Sequence, residues 1–320
     1  MIDIVQRMKV LYDWYSRQEV QYEIIKFTYN REFAVLLPWF FHDNDGKFND
    51  NIRYLRCHNT EHFSYLLTEG IRMFEKNFPY QLYYSLAKYR DGIPKFTMNL
   101  SKRNTEDWKN NHYKDMVSYD FLIDIDAKSF DNIYMALETA KEIKKLFDSY
   151  SLIYELRFSG RGFHFIIRND LACQNINYSM DINADNTIYL FYSQFAKFLN
   201  IIYSDMVDYR IYDSRRVVKC PYTLANYEDK ITLCYPFLSD DEFQCFNLDD
   251  ADLKYFARNK IKNRGTFLFN YKENLRNDLT FNEGFVKSFR CNNDKLIQIF
   301  KYIEDRSMLM SRKTKKEAKI

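Results

Sequence analysis

The sequence predicts an α+β fold, with mixed sheets flanked by helices and a mainly helical C-terminal portion. Three observations carry this reading. Extended apolar runs recur between residues 31 and 167 and again at 231–235, two of them joined as a hairpin. Helical periodicity interrupts those runs at 129–150 and 188–203. Past about Leu238 the pattern turns mainly helical.

In order along the chain, Ile4, Met8, Leu11, Tyr12 and Tyr15 lie at helical spacing, so a helix is expected to about Val20. Arg31 to Phe41 reads as extended, with Pro38 marking an edge or bend because proline cannot donate to a ladder. His42 to Asp50 is polar and reads as a loop, Ile52 to Cys57 as a strand, and Thr60 to Lys76 as a helix. Leu82 to Tyr89 is extended again, and the polar stretch Asp91 to Asp115 leads into a strand from Val117 to Ile125. Phe130, Ile133, Leu137, Ala140, Lys144 and Phe147 mark a helix from Ser129 to Tyr150, with Ser129 as its N-cap. Ile153 to Phe158 and Phe163 to Arg168 are strands, Ile188 to Tyr203 a helix, and Ile231 to Tyr235 a strand. Leu248 to Ile261 and Lys295 to Ile303 are the clearest helical segments of the C-terminal portion.

Composition narrows the function classes. The 320 residues are 46% hydrophobic and 28% charged, as expected of a globular protein with a proper core. A net charge of +3 excludes a polycation, so a nucleic-acid protein of this composition must concentrate its positive charge in one cleft. The 18% aromatic content is read as core packing first and base stacking second. Six cysteines lie at 57, 173, 220, 234, 245 and 291 without a CxxC pair, which suggests neither a zinc ribbon nor a disulfide framework. With no signal-like N-terminus and no long apolar run, a cytoplasmic, reducing compartment and no membrane are expected.

Three local features carry chemistry. In Phe121-Leu122-Ile123-Asp124-Ile125-Asp126, residues two apart on a strand share a face, so Asp124 and Asp126 project side by side. Paired carboxylates repel unless a cation or proton lies between them, and their hard oxygens suit Mg²⁺ or Mn²⁺. The second feature, Ser159-Gly160-Arg161-Gly162-Phe163-His164, joins two apolar strands and places two of the seven glycines within three residues. Glycines let a backbone approach a phosphate, and Ser159, Arg161 and His164 offer donors to it. A plain hairpin explains the glycines but not an arginine and a histidine in so apolar a stretch. The third, Asp213-Ser214-Arg215-Arg216-Val217-Val218-Lys219-Cys220-Pro221, sets an acid beside a cationic run fit for a triphosphate. Asp208 lies close by and competes with Asp213 for the place of third carboxylate.

Taken in this order, the three motifs resemble the archaeo-eukaryotic primase superfamily, with its apolar-Asp-apolar-Asp strand, its Ser-Gly-x-Gly-x-His turn, and an Asp followed by basic residues and a Pro-containing turn. Arg31-Glu32-Phe33-Ala34, Ile52-Arg53-Tyr54 and Tyr83-Tyr84-Ser85-Leu86-Ala87-Lys88-Tyr89 resemble segments of the catalytic small subunit of DNA primase. The resemblance spans roughly residues 8 to 237.

It implies a primase-type catalytic core over 1–238; beyond it, the residue pattern itself reads as a helical portion over 239–305 and a basic flexible tail over 306–320. The resemblance also implies template-directed nucleotidyl transfer with two Mg²⁺ or Mn²⁺ ions held by Asp124, Asp126 and Asp213. Ser159, Gly160, Arg161, Gly162, His164, Arg215, Arg216, Lys219 and Arg53 would bind the nucleotide, and Arg31, like Arg53, is either a cleft residue or a structural ion pair. The implied partners are a single-stranded DNA template, NTP or dNTP, and a primase large subunit or replication helicase, in a nucleoid-associated, viral or plasmid replication context. Two departures stand out: the cysteines of the family's zinc knob are missing, so no structural zinc is expected, and Ala225 occupies the turn where the family tends to place a histidine. A primer-dependent repair polymerase, a catalytically idle nucleic-acid or primase-partner binding protein, and a metal-dependent nuclease are the competing readings.

Overall fold

The computed structural model describes residues 4–28, 31–36, 53–55, 81–89, 116–168, 185–213, 216–227, 230–253 and 283–317. The loop expected at 42–50, the helix at 60–76 and the irregular stretch at 91–115 lie outside them. Helices α1 (Ile4–Tyr15) and α2 (Gln18–Thr28) lead into strands β1 (Arg31–Leu36), β2 (Arg53–Leu55), β3 (Gln81–Tyr89), β4 (Met116–Tyr119) and β5 (Phe121–Asp126). Next come α3 (Ile133–Ser149), β6 (Glu155–Phe158), β7 (Gly162–Ile167), α4 (Asp185–Ile202), β8 (Val207–Asp208) and β9 (Val217–Lys219). Strands β10 (Leu224–Tyr227), β11 (Lys230–Leu233) and β12 (Tyr235–Pro236), then helices α5 (Asp240–Gln244) and α6 (Glu283–Glu317), complete the described elements. Mixed helices and antiparallel sheets make this an α+β protein, as the sequence predicts. None of the described helices is long and apolar enough to cross a membrane.

The chain forms two compact units. The first takes Met1–Val117, Arg157–Gly160 and Arg215–Thr266; the second takes Ser118–Leu156, Arg161–Ser214 and Phe267–Ile320. In the first, β1 pairs antiparallel with β2 (Val35↔Arg53) and with β3 (Phe33↔Tyr84), and β3 pairs with β9 (Tyr83↔Lys219). Strands β10 and β11 form a hairpin (Leu224↔Leu233). Helix α1 ties down the turn that leads into this hairpin: Trp14 Nε1 donates to the Tyr222 carbonyl at 2.9 Å, and Leu224 N donates to Tyr15 Oη at 2.9 Å. Tyr222 holds a left-handed φ of 62° in that turn.

In the second unit, β5 lies between β7 and β8 and is antiparallel to both. Phe121, Ile123 and Ile125 are fully buried and share a face with their partners Ile167, Phe165 and Phe163. That face meets helices. Tyr192 of α4 stacks on Phe121 at 4.1 Å, and Phe147 of α3 meets Phe165 edge-on at 5.4 Å. Helix α3 buries Ile133, Ala136, Leu137, Ala140, Ile143 and Phe147, the three-and-four spacing of an amphipathic stripe. Phe300 of α6 closes over α4 through Phe191, 4.9 Å between ring centres.

The structure corrects several local expectations. The opening helix is two helices, because the chain turns at Ser16 and Arg17 before α2 begins. The strand expected over 117–125 is broken at Asp120 into β4 and β5. Ser129 does not cap α3: a 3₁₀ turn (Phe130–Asn132) intervenes and the cap residue is Asn132, whose N–H donates to the Ser129 carbonyl at 3.1 Å. The helix expected over Leu248 to Ile261 begins instead as a 3₁₀ turn (Leu248–Ala251) with an Asn247 capping box, after which Asp252 is extended and bridges Thr232; residues 254–261 lie outside the described residues. Helix α6 continues to Glu317, through most of the segment read as a flexible tail.

Candidate functional site

The alternation of β5 decides where its carboxylates go. With Ile123 and Ile125 turned into the core, Asp124 and Asp126 must emerge on the opposite face, and their side chains retain 27% and 33% exposure. Register adds neighbours to that face. Asp124 lies across from His164 on β7 and from Asp208 on β8, so an acid, an acid and an imidazole form one row over three strands.

Each acid has a donor beside it. His164 Nε2 is 3.3 Å from Asp124 Oδ1, and a proton on Nε2 makes this a hydrogen bond to the carboxylate. The other ring nitrogen, Nδ1, is buried without a hydrogen-bond partner among the described residues. Asp126 Oδ2 pairs with the Arg161 guanidinium, and Asp126 Oδ1 accepts from the Lys128 N–H at 3.1 Å. Asp208 Oδ1 accepts from the Arg210 N–H at 2.8 Å. Beyond this row, Lys128 Nζ reaches Asp205 at 2.7 Å, and that hydrogen bond with its positive charge holds the exposed Asp205 carboxyl below its ordinary value.

The glycine turn between β6 and β7 is sterically compelled. Gly160 has φ of 97°, a left-handed value that disfavours any Cβ, and a Cβ there would lie 2.3 Å from Ala225 Cβ. Gly162 is opposite Asp126, and a Cβ on it would come 1.8 Å from the Ile125 carbonyl oxygen. The two strands therefore approach closely where the acids end.

The residues expected to bind nucleotide divide between the units. Arg161, Gly162 and His164 join Asp124, Asp126 and Asp208 in the second unit. Ser159, Gly160, Arg216 and Lys219 belong to the first, where Lys219 Nζ donates to the Ser159 carbonyl at 2.9 Å and so braces the turn. Arg216 offers its carbonyl to the Leu86 N–H at 3.0 Å. Arg215 lies outside the described residues; Arg53 is described by its backbone, paired with Val35. Arg31 is buried and its Nη1 donates to the Ser85 and Leu86 carbonyls, each at 2.9 Å, contacts with backbone carbonyls and not an ion pair. Asp213 is exposed, in the second unit, with its carbonyl accepting from Tyr119 Oη at 2.7 Å.

Sequence reasoning passed over Arg157, fully buried in the first unit. Its Nη1 donates to the Lys219 carbonyl at 2.8 Å and its Nη2 to Tyr84 Oη at 2.7 Å. Tyr84 lies between two guanidinium groups, Arg31 at 5.5 Å and Arg157 at 5.4 Å from its ring centre. An arginine within an apolar strand was the available signal. Tyr84→Phe removes the acceptor of a buried charged donor, a loss of about 1–3 kcal/mol. It should lower the melting temperature by about 3–9 °C, read by calorimetry.

A divalent cation fits this donor set in a particular way. Among the described residues no three His, Cys, Asp or Glu side chains converge as a ready-made cage. Mg²⁺ rarely uses such a cage; it takes one or two carboxylates and completes its shell with water and substrate phosphates. Two hard-oxygen acids on a partly exposed strand face, with a third across the ladder, meet that requirement.

No family model matches the chain, and no curated protein matches it. Among solved structures it is similar to the polymerase domain from Mycobacterium tuberculosis Ligase D in complex with DNA, at 10% identity over 73% of this chain and 82% of that one, with a TM-score of 0.43.

Proposed function

We propose that the chain is a primase-polymerase, transferring nucleotides from NTP or dNTP to a 3′-hydroxyl opposite a DNA template and starting chains without a primer. The observation that carries this is the row of Asp208, Asp124 and His164 across β8, β5 and β7, with Asp126 two residues along on the same face. In transfer, the hydroxyl gives up its proton to solvent, its oxygen bonds to the α-phosphorus, the bond to the β-phosphate bridge breaks, and pyrophosphate leaves. Asp124 and Asp126, with Asp208 as third acid, would hold the divalent ions. Those ions supply a lowered hydroxyl pKa and neutralisation of the triphosphate.

The remaining work falls to this chain's own residues. The buried His164 has Nε2 toward Asp124, which fixes the ring; in the doubly protonated ring Nδ1–H is a donor for a phosphate oxygen. Arg161 is the cation beside the acids and suits bidentate contact with a phosphate.

Register favours Asp208 over Asp213 as the third acid, because Asp208 is the direct cross-strand partner of Asp124. Asp208→Asn should therefore cut incorporation by about 10²-fold or more, whereas Asp213→Asn should stay within about threefold of wild type. The reverse ranking would hand the role to Asp213. The overall test is synthesis on single-stranded DNA with labelled NTPs or dNTPs and Mg²⁺ or Mn²⁺, with and without primer. Short primer-free products are expected. Products only with a primer would indicate a gap-filling polymerase, and strand cleavage without incorporation would indicate a nuclease.

A further inference from the structure

We propose that Arg161 is the built-in counter-ion of Asp126, and that it couples divalent-cation binding at the acidic face to arrival of a nucleoside triphosphate. This rests on the reading of that face given above.

The argument begins with the backbone. Asp126 and Gly162 are register partners, so residue 161 stands immediately past the end of the acidic strand. Gly162 is pressed against the Ile125 carbonyl. The backbone at 161 therefore has little latitude, and a long side chain there meets Asp126. It does: the guanidinium pairs with Asp126 Oδ2 while the Lys128 N–H occupies Oδ1. Each oxygen keeps a second lone pair, but a cation that takes Oδ2 meets the guanidinium's positive charge at close range and is opposed by it until the guanidinium moves.

The Arg161 side chain is 46% exposed, so it can leave without disturbing the core. The nearby cation Lys128 is tied to Asp205, which leaves Arg161 as the side-chain cation on Asp126 among the described residues. A triphosphate offers the guanidinium more negative charge and the bidentate geometry it prefers. Moving to the phosphates, Arg161 would uncover Asp126 as the ligand-bearing cation arrives. Linkage makes the effect reciprocal: whatever the triphosphate adds to cation affinity, the cation adds to triphosphate affinity.

The experiment is Mn²⁺ binding, followed by the loss of the free-ion electron paramagnetic resonance signal, on the full chain. It is run alone and with the α,β-imido analogues of ATP and dATP, for wild type, Arg161→Gln and Asp126→Asn. Wild type should bind Mn²⁺ at least about tenfold more tightly with either analogue than without. Arg161→Gln should bind Mn²⁺ about tenfold more tightly than wild type in the absence of nucleotide, with the nucleotide effect reduced to about twofold. Asp126→Asn should lose the tight Mn²⁺ site. If Arg161→Gln binds Mn²⁺ no more tightly than wild type, the coupling proposal fails and the acidic site survives. If neither binds Mn²⁺ at millimolar concentration while both melt normally, the proposal and the metal-site reading fail together.

Discussion

Asp124→Asn and Asp126→Asn are each expected to lower nucleotide incorporation by about 10³-fold or more while moving the melting temperature by no more than a few degrees. Asparagine keeps the shape of the carboxylate but not its charge, so it fits the same strand position and fails as a ligand for a hard divalent ion. The fold has little to lose. Both side chains are partly exposed, and neither supports the core face formed by Phe121, Ile123 and Ile125. His164 retains an amide oxygen to donate to at position 124, and the Arg161 pair at 126 is solvated, where an ion pair contributes at most about 1 kcal/mol. Removing one of several neighbouring negative charges also relieves repulsion across the Asp124–Asp208 register. Incorporation by each variant, measured alongside its thermal melt, separates the two effects. Activity above about a tenth of wild type in either variant would remove that acid from the chemistry; a large drop in melting temperature would make the loss structural.

Much of this site is legible in the chain because period-two alternation is a local property. Ile123 to Asp126 alternates apolar and acidic residues, and once one face is buried the other face follows. The glycine turn is legible for the same local reason: two glycines flanking an arginine have few uses besides a constrained approach of backbones. What the sequence does not announce is non-local. Asp208 belongs to a two-residue strand, too short to show any period, and only its register with Asp124 distinguishes it from Asp213. Arg157 reads as an oddity in an apolar strand until its partners on Tyr84 and Lys219, 73 and 62 residues away, are seen. The misread helix start at Ser129 and the helix expected from Leu248 have a common cause. Capping residues suit a 3₁₀ turn as well as an α-helix, and the packing that follows decides which forms.

Gly162→Ala is expected to damage stability and activity together, unlike the acid-to-amide changes. One methyl group there would come 1.8 Å from the Ile125 carbonyl oxygen, a backbone atom of β5 in the second unit. No rotamer change relieves the clash, because neither atom lies on a flexible side chain. Either β7 separates from β5 or the end of β5 twists away, and both motions shift Asp126, the register partner of Gly162. Overpacking of this kind costs about 3 kcal/mol or more, equivalent to a fall in melting temperature of about 8 °C for a chain of this size. Incorporation should drop at least about tenfold even well below the new melting point, since small displacements of reacting groups are costly. Gly160→Ala makes the informative comparison. Its new methyl would meet the Ala225 side chain in the first unit, with an unfavourable φ in addition, so it too should destabilise. Only the change at 162 strikes the backbone next to the acids. Mn²⁺ affinity per folded molecule should therefore fall for Gly162→Ala and stay near wild type for Gly160→Ala. Equal Mn²⁺ affinity in all three chains would mean that β5 keeps its acids in place without the close approach of β7.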